Sequence, residues 1–163
     1  MPIRIQPISE EHIEDFHKCL DIVAQERKYL AFIQAPDLDS VRKFVGNNIK
    51  HSLPQYVAVK EDKVIGWCDI IPQNLEGFRH SGNLGMGVLP EFRRQGIGTK
   101  LISATLAKAK EQGLERIQLA VLASNTAAIS LYEKIGFVKE GIRKKARKLD
   151  NKYDDLLLMA LFF

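Results

Sequence analysis

Residues 83–99 read Asn83-Leu84-Gly85-Met86-Gly87-Val88-Leu89-Pro90-Glu91-Phe92-Arg93-Arg94-Gln95-Gly96-Ile97-Gly98-Thr99. This is an apolar strand running through a glycine-bearing turn into a helix. Gly85 and Gly87 weaken the strand, Asn83 to Leu89, and point to a bulge or a close backbone approach. The helix continues through Leu101, Ile102, Leu106 and Ala109 and stops at Gly113. Between the two, Arg93 to Gly98 sets Gly-x-Gly at a helix start. Backbone N–H groups can converge there on one spot, and the helix N-terminus adds about half a positive charge. That chemistry suits a phosphate. Neither standard nucleotide fingerprint is complete, however: no Lys-Ser/Thr pair follows a four-residue spacer, and no third glycine is present. Gly85-Met86-Gly87 lies inside the strand and is a decoy. Alone, the turn is equally compatible with a structural role.

Outward toward the N-terminus, Ile3, Ile5 and Ile8 bracket a short strand. Ser9 then caps a helix with Ile13, Phe16, Leu20 and Val23 at spacings of three and four. Pro36 breaks the chain. Asp39 or Ser40 caps a second helix carrying Val41, Phe44, Val45 and Ile49, ended by Pro54. Tyr56 to Val59 and Val64 to Ile71, joined by Glu61-Asp62-Lys63, read as an antiparallel hairpin. Pro72 to Gly82 is a loop or an irregular strand start.

Outward toward the C-terminus, Ile117 to Leu122 is a mostly apolar strand, as expected when both faces are covered. Asn125 starts a helix with Ala128, Ile129, Tyr132 and Ile135 that stops at Gly136. A long strand from Phe137, a turn at Asp150-Asn151 and a last strand from Tyr153 to Phe162 complete the chain. Without repeats or linkers, residues 1–163 read as a single mixed α/β domain.

Composition agrees. With 45% apolar and 27% charged residues in 163, disordered, fibrous and collagen-like classes are excluded. The net charge of +4 is local. Arg143, Lys144, Lys145, Arg147 and Lys148 supply five of the 24 basic residues, and the remaining 19 face 20 acidic ones. Cys19 and Cys68 are too few for a disulfide framework or a zinc cluster and read as small buried hydrophobes, so no metal is expected. The N-terminus goes straight into a strand-like alternation, with no signal-peptide core. The longest apolar run, Leu156 to Phe163, is far short of the ~20 residues a membrane helix needs. A cytoplasmic location without a membrane partner is expected.

A second constellation is Asn125-Thr126-Ala127-Ala128-Ile129-Ser130-Leu131-Tyr132-Glu133-Lys134-Ile135-Gly136-Phe137. Ala128 and Tyr132 share a helix face, and a tyrosine so spaced also fits an ordinary core position. Together, Arg93-x-x-Gly96-x-Gly98 after a strand and Asn125…Tyr132…Gly136-Phe137 one helix and one strand later resemble the two signatures of the GCN5-related N-acetyltransferase (GNAT) family. The resemblance implies an α/β (α+β) fold with a central mixed, mostly antiparallel sheet of about seven strands flanked by about four helices.

It also implies acetyl-CoA as cosubstrate and an amine of a small molecule or a protein or peptide as acceptor. The pantetheine arm would pair with the strand backbone at Met86, Gly87 and Val88. The pyrophosphate would sit on the amides of Arg93, Arg94, Gln95, Gly96, Ile97 and Gly98, with Thr99 next in the helix. Asn125 matches the residue that hydrogen-bonds the arm, and Lys134 is a contact to coenzyme A phosphates or a solvated helix lysine. Tyr132 matches the catalytic tyrosine near the thioester sulfur, and the Val88 amide would stabilise the oxyanion. The carboxylate that many relatives carry on the central strands is missing, since Asn83–Leu89 and Ile117–Leu122 hold none. Asp69 and His80 are the nearest candidate bases. For the acceptor, Tyr29, Phe32 and Trp67 could form an aromatic wall, and Asp37 or Asp39 could attract a cation. Relatives often pair, so a homodimer is an expectation. The rival reading is a noncatalytic acyl-CoA or nucleic-acid binding module using strand 143–148. That run has no interleaved aromatics for base stacking, so nucleic acid is not expected.

Overall fold

The structure, a computed structural model, describes residues 2–163. In chain order it contains β1 (Arg4–Pro7), α1 (Ile13–Gln25), α2 (Leu38–Lys50), β2 (Gln55–Lys60), β3 (Lys63–Pro72) and β4 (Ser81–Val88). Then come α3 (Ile97–Glu111), β5 (Arg116–Leu122), α4 (Thr126–Ile135), β6 (Val138–Leu149) and β7 (Lys152–Phe162). The seven strands form one mixed sheet ordered β1-β2-β3-β4-β5-β7-β6, flanked by the four helices. β4 and β5 run parallel and the remaining neighbours antiparallel. The chain forms two compact units, Met1–Ile71 with Gly85–Gly113 and Pro72–Leu84 with Leu114–Phe163.

In the first unit, β1, β2 and β3 form an antiparallel meander. The β2–β3 turn holds Glu61 and Asp62 with φ of 50° and 62°, the left-handed pair that matches the twist of a tight hairpin. α1 buries Ile13, Phe16, Leu20 and Val23 at the spacing its sequence predicts, and Cys19 and Ala24 with them. Ser9 opens a short 3₁₀ turn, Glu10–His12, ahead of α1 rather than α1 itself. The α2 cap is Asp37, not Asp39 or Ser40: its Oδ1 accepts from the Ser40 amide at 2.7 Å. This amide, then the Ser40 hydroxyl, holds the Asp37 carboxyl below the usual range. α2 buries Val41, Val45 and Asn48, whose side-chain amide donates to Gln55 at 2.8 Å, but leaves Phe44 40% exposed.

In the second unit, β5 lies antiparallel to β7, with Ile117 opposite Leu161 and Leu122 opposite Leu156. β5 buries Ile117, Leu119, Val121 and Leu122 but leaves Ala120 exposed, so its coverage is less complete than its apolar run suggests. α4 ends at Gly136, where φ of 123° excludes other residues, and Phe137 packs on Tyr132 with ring centroids 5.6 Å apart. The basic run lies in β6, at the sheet's outer edge. The register slips between Arg143 and Arg147, with Lys145 at φ 51°. A bulge and solvated lysines are devices that keep an edge from pairing further. Among the described residues, no helix is long and apolar enough to cross a membrane.

Candidate active site

β4 bonds β3 at both ends, Gln73 N–H to Ser81 O at 3.0 Å and Leu89 N–H to Ile65 O at 2.9 Å. Along a strand, a residue's N–H and C=O share a side and successive residues alternate. Ser81 and Leu89 therefore set the odd-numbered residues toward β3, and Met86 and Val88 turn their amides the other way. Within the first unit, that other side is the sheet edge, because Gly85–Val88 ends the run β1-β2-β3-β4. The close approach expected at Gly87 is real. A Cβ there would lie 2.4 Å from the Trp67 ring, so only glycine fits beneath the indole.

The turn after β4 is built from unusual backbone. Arg93 is extended, Arg94 has φ of 61° and Gly96 φ of 80°. Left-handed residues among right-handed ones fold successive amides toward one concavity. α3 makes its first bond from Lys100 N–H to Gly96 O at 3.2 Å. The amides of Ile97, Gly98 and Thr99 thus lie ahead of the helical ladder, at the positive end of the dipole. A Cβ on Gly96 would meet nothing within 4 Å, so conformation rather than crowding demands glycine there.

Arg93 is the turn's anchor. Its Nη1 and Nη2 donate to Glu26 at 2.9 and 2.5 Å, its Nε donates to Val88 O at 2.9 Å, and the guanidinium sits 4.7 Å over the Tyr29 ring. The bidentate pair is only 28% and 22% exposed. The Arg93 amide turns to Pro90 O at 3.3 Å. Its fork is thus committed inside the protein, tying the end of α1 to the end of β4. Glu26 lies 67 residues away, and no local pattern announced it.

Beside β4 lies a cavity of about 370 Å³. Phe16 and Leu20 from α1, Val41 and Phe44 from α2, and Trp67 and Asp69 from β3 line it. The segment after α1 contributes Leu30, Ala31, Phe32 and Pro36, and β4 contributes Gly85 and Met86. Ala35 N–H donates to Asp21 at 2.9 Å and His17 bonds Pro36 O at 2.8 Å, which pins that segment back on α1. Phe32 and Trp67 stand in the wall as expected, whereas Tyr29 lies under Arg93 and Asp37 serves as a helix cap.

Asp69 is the one carboxyl in this lining. It is half-buried, and the surface it keeps is cavity wall. Desolvation pushes its pKa up to about 7. A Cβ on Gly85 would stand 3.4 Å from its Oδ1, an ordinary contact, so β4 passes directly alongside the carboxyl. His80 is exposed in the second unit, where its carbonyl accepts from the Glu115 and Arg116 amides at 2.8 and 3.2 Å. Burial pushes both thiols up, Cys19 to about 12, so neither is a thiolate nucleophile near neutral pH.

In the second unit, Asn125 caps α4, its Oδ1 accepting from the Ala128 amide at 3.3 Å. Tyr132 is buried, and Lys134 is exposed in the last turn of α4, where the helix dipole favours a cation. Two of the five cations in the basic run meet carboxylates across the hairpin. Lys144 meets Asp155 at 3.4 Å and Arg147 approaches Asp154 at 3.9 Å, both across from β6. The aromatic missing from the run is supplied by β7: Lys145 and Lys148 lie 4.9 and 5.3 Å from the Tyr153 ring.

The model of the Acetyltransferase (GNAT) family matches residues 10–137. The [Ribosomal protein bS18]-alanine N-acetyltransferase of Escherichia coli (strain K12) is 36% identical over 76 residues, 47% of this chain and 51% of that protein. The chain thus spans about half the length of this relative. An N-alpha-acetyltransferase of Saccharolobus solfataricus is 34% identical over 131 residues, covering 72% of this chain and 74% of that one. The structure of yncA from Salmonella typhimurium, described with its cofactor acetyl-CoA, superposes with a TM-score of 0.91 at 18% identity, covering 98% of this chain and 93% of that one.

Proposed function

From the premise that the chain belongs to the acetyltransferase (GNAT) family, we propose that it transfers an acetyl group from acetyl-CoA directly to a primary amine. The observation that carries this reading is Asp69, a carboxyl poised near neutrality in an apolar cavity beside the β4 edge. The donor fits the first unit's backbone. Met86 and Val88 offer strand amides at an edge to an extended amide-bearing arm, and Arg94 to Thr99 offer amides and a helix dipole to a pyrophosphate. Asn125 and Lys134 are assigned to the same donor from their match to the family's second signature.

In this reading Asp69 takes a proton from the incoming ammonium, leaving a neutral amine whose lone pair attacks the thioester carbonyl. As the C–N bond forms, the Val88 amide holds the developing oxyanion. Arg93, through Val88 O, fixes that peptide's orientation. The adduct collapses, the C–S bond breaks, Tyr132 protonates the departing thiolate, and the second nitrogen proton passes through solvent water to restore the Tyr132 phenol. Holding donor and amine together makes the attack effectively unimolecular. No acyl-enzyme is needed, in keeping with the raised thiol pKa values. We read residues 1–163 as one catalytic domain, since the family match crosses both units. Two reduced, buried cysteines suit a cytoplasmic setting, and a homodimer remains part of this reading.

Acetyl-CoA should raise the melting temperature at micromolar concentration, and Gly96→Glu should abolish the shift. An unmoved melting curve of the parent protein at millimolar acetyl-CoA overturns the reading.

A further inference from the structure

We infer that the acceptor is an apolar primary monoamine of arylalkyl size, a ring on a short chain ending in one amine and bearing no second charge; this rests on the acetyl-transfer reading and concerns the cavity at Asp69. Four observations lead there. The cavity, about 370 Å³, is near the low end of small-molecule sites, which run ~300–1,000 Å³. Its wall is aliphatic and aromatic, with Phe16, Phe32, Phe44 and Trp67 enclosing the space for a ring. Trp67 is held in place, packed edge-on against Phe16 at 5.6 Å and seated over Gly87. Asp69 is the single ionisable lining residue, and the Ser40 hydroxyl and the Trp67 indole N–H are the only other polar side-chain groups in the lining.

Each excluded class fails for a physical reason. A free amino acid brings a carboxylate, and the lining holds no lysine, arginine or histidine to meet it. A polyamine brings a second ammonium that would be desolvated against aromatic walls with no second carboxylate. A peptide brings a new N–H and C=O with every residue, and beyond Asp69 the lining side chains offer only the Ser40 hydroxyl and the Trp67 indole N–H to pair them. An arylalkylamine leaves nothing unpaired: its ammonium meets Asp69 and its ring meets the wall.

The test measures thiol release from acetyl-CoA with four matched acceptors: 2-phenylethylamine, phenylalanine, putrescine and a tetrapeptide beginning with phenylalanine. Acetyl-CoA binding is titrated calorimetrically in the same preparation. The expected kcat/KM for 2-phenylethylamine exceeds the other three by about 100-fold, the scale on which unpaired polar groups are rejected. Phe44→Asp, at a half-exposed helix position that should fold normally, should narrow the gap to putrescine while leaving acetyl-CoA binding unchanged. If acetyl-CoA binds but the peptide, putrescine or phenylalanine equals or exceeds 2-phenylethylamine, or no arylalkylamine is turned over, the inference is overturned. If acetyl-CoA does not bind, the acetyl-transfer reading itself falls.

Discussion

Two stretches of this chain place arginines and lysines side by side, Arg93-Arg94 after β4 and Arg143 to Lys148 in β6, and their surroundings give them opposite work. Arg93 loses most of its solvent. Its fork closes on Glu26, its Nε holds Val88 O, and Tyr29 backs it, so one side chain ties α1 to the strand end that the proposed chemistry uses. Four of the five β6 cations keep their water, and only Arg147, 26% exposed, is covered. Lys144 is 76% exposed, and Asp154 and Asp155 answer the charge from the neighbouring strand. The Lys145 amide, then Lys144, holds the Asp155 carboxyl below its usual range. A polar group gains leverage on structure and chemistry in proportion to the solvent it gives up. The same residue types therefore make an anchor in one place and a soluble edge in the other.

The largest effect should come from Asp69, the desolvated carboxyl in the cavity beside β4. Asp69→Asn should lower kcat by about 10²–10⁴ with acetyl-CoA affinity unchanged by calorimetry. The parent's kcat should rise through pH ~7 and level off above it, as the base ionises. Stability should move the other way. The folded pKa of about 7 lies above the ordinary aspartate value of 3.8, so the folded state is penalised progressively as pH rises between those values and fully above 7. Thermal scans at pH 5 and pH 8 should show Asp69→Asn gaining on the parent more at pH 8 than at pH 5, the two gains differing by about 2 kcal/mol or more. An equal gain at both pH values would remove Asp69 from the set of desolvated groups.

Next in size is Arg93→Ala, which strands the Glu26 carboxylate in a mostly covered site. Urea denaturation should show a loss of about 2 kcal/mol, with Arg93→Lys recovering only part, because a point charge cannot reproduce the fork. The smallest effects belong to the hairpin. Lys144→Ala and Lys148→Ala should each stay within about 0.5 kcal/mol of the parent by the same measurement. A hairpin lysine costing more than Arg93→Ala would break the contrast between the two regions.

Much of the fold was legible in the chain. Ile13, Phe16, Leu20 and Val23 are buried as their spacing predicts, the hairpin turns at Glu61-Asp62, and β4, α3, β5 and α4 lie where their boundary glycines and Pro90 put them. These are local signals, carried by residues within one or two turns of each other. The errors also had local causes: Asp37, Asp39 and Ser40 compete as caps within four positions, and only backbone geometry chooses Asp37. The site was legible in part. Gly87 and Gly96 both stand where the backbone demands glycine, but for different reasons, a Trp67 ring in one case and a left-handed φ in the other.

By itself the sequence determined the order of elements, the glycine turn ahead of α3 and the second signature around Tyr132, because periodicity, caps and φ preferences act between near neighbours. Only the tertiary structure decided that Arg93 grips Glu26, that Tyr29 lies beneath it, and that two aspartates of the neighbouring strand answer part of the charge where it is densest. It also decided that Asp69, one carboxyl among the chain's 20 acidic residues, faces an apolar cavity. A carboxyl's pKa is set by what surrounds it in space, and those surroundings come from α1, α2 and two strands that meet only once the chain has folded.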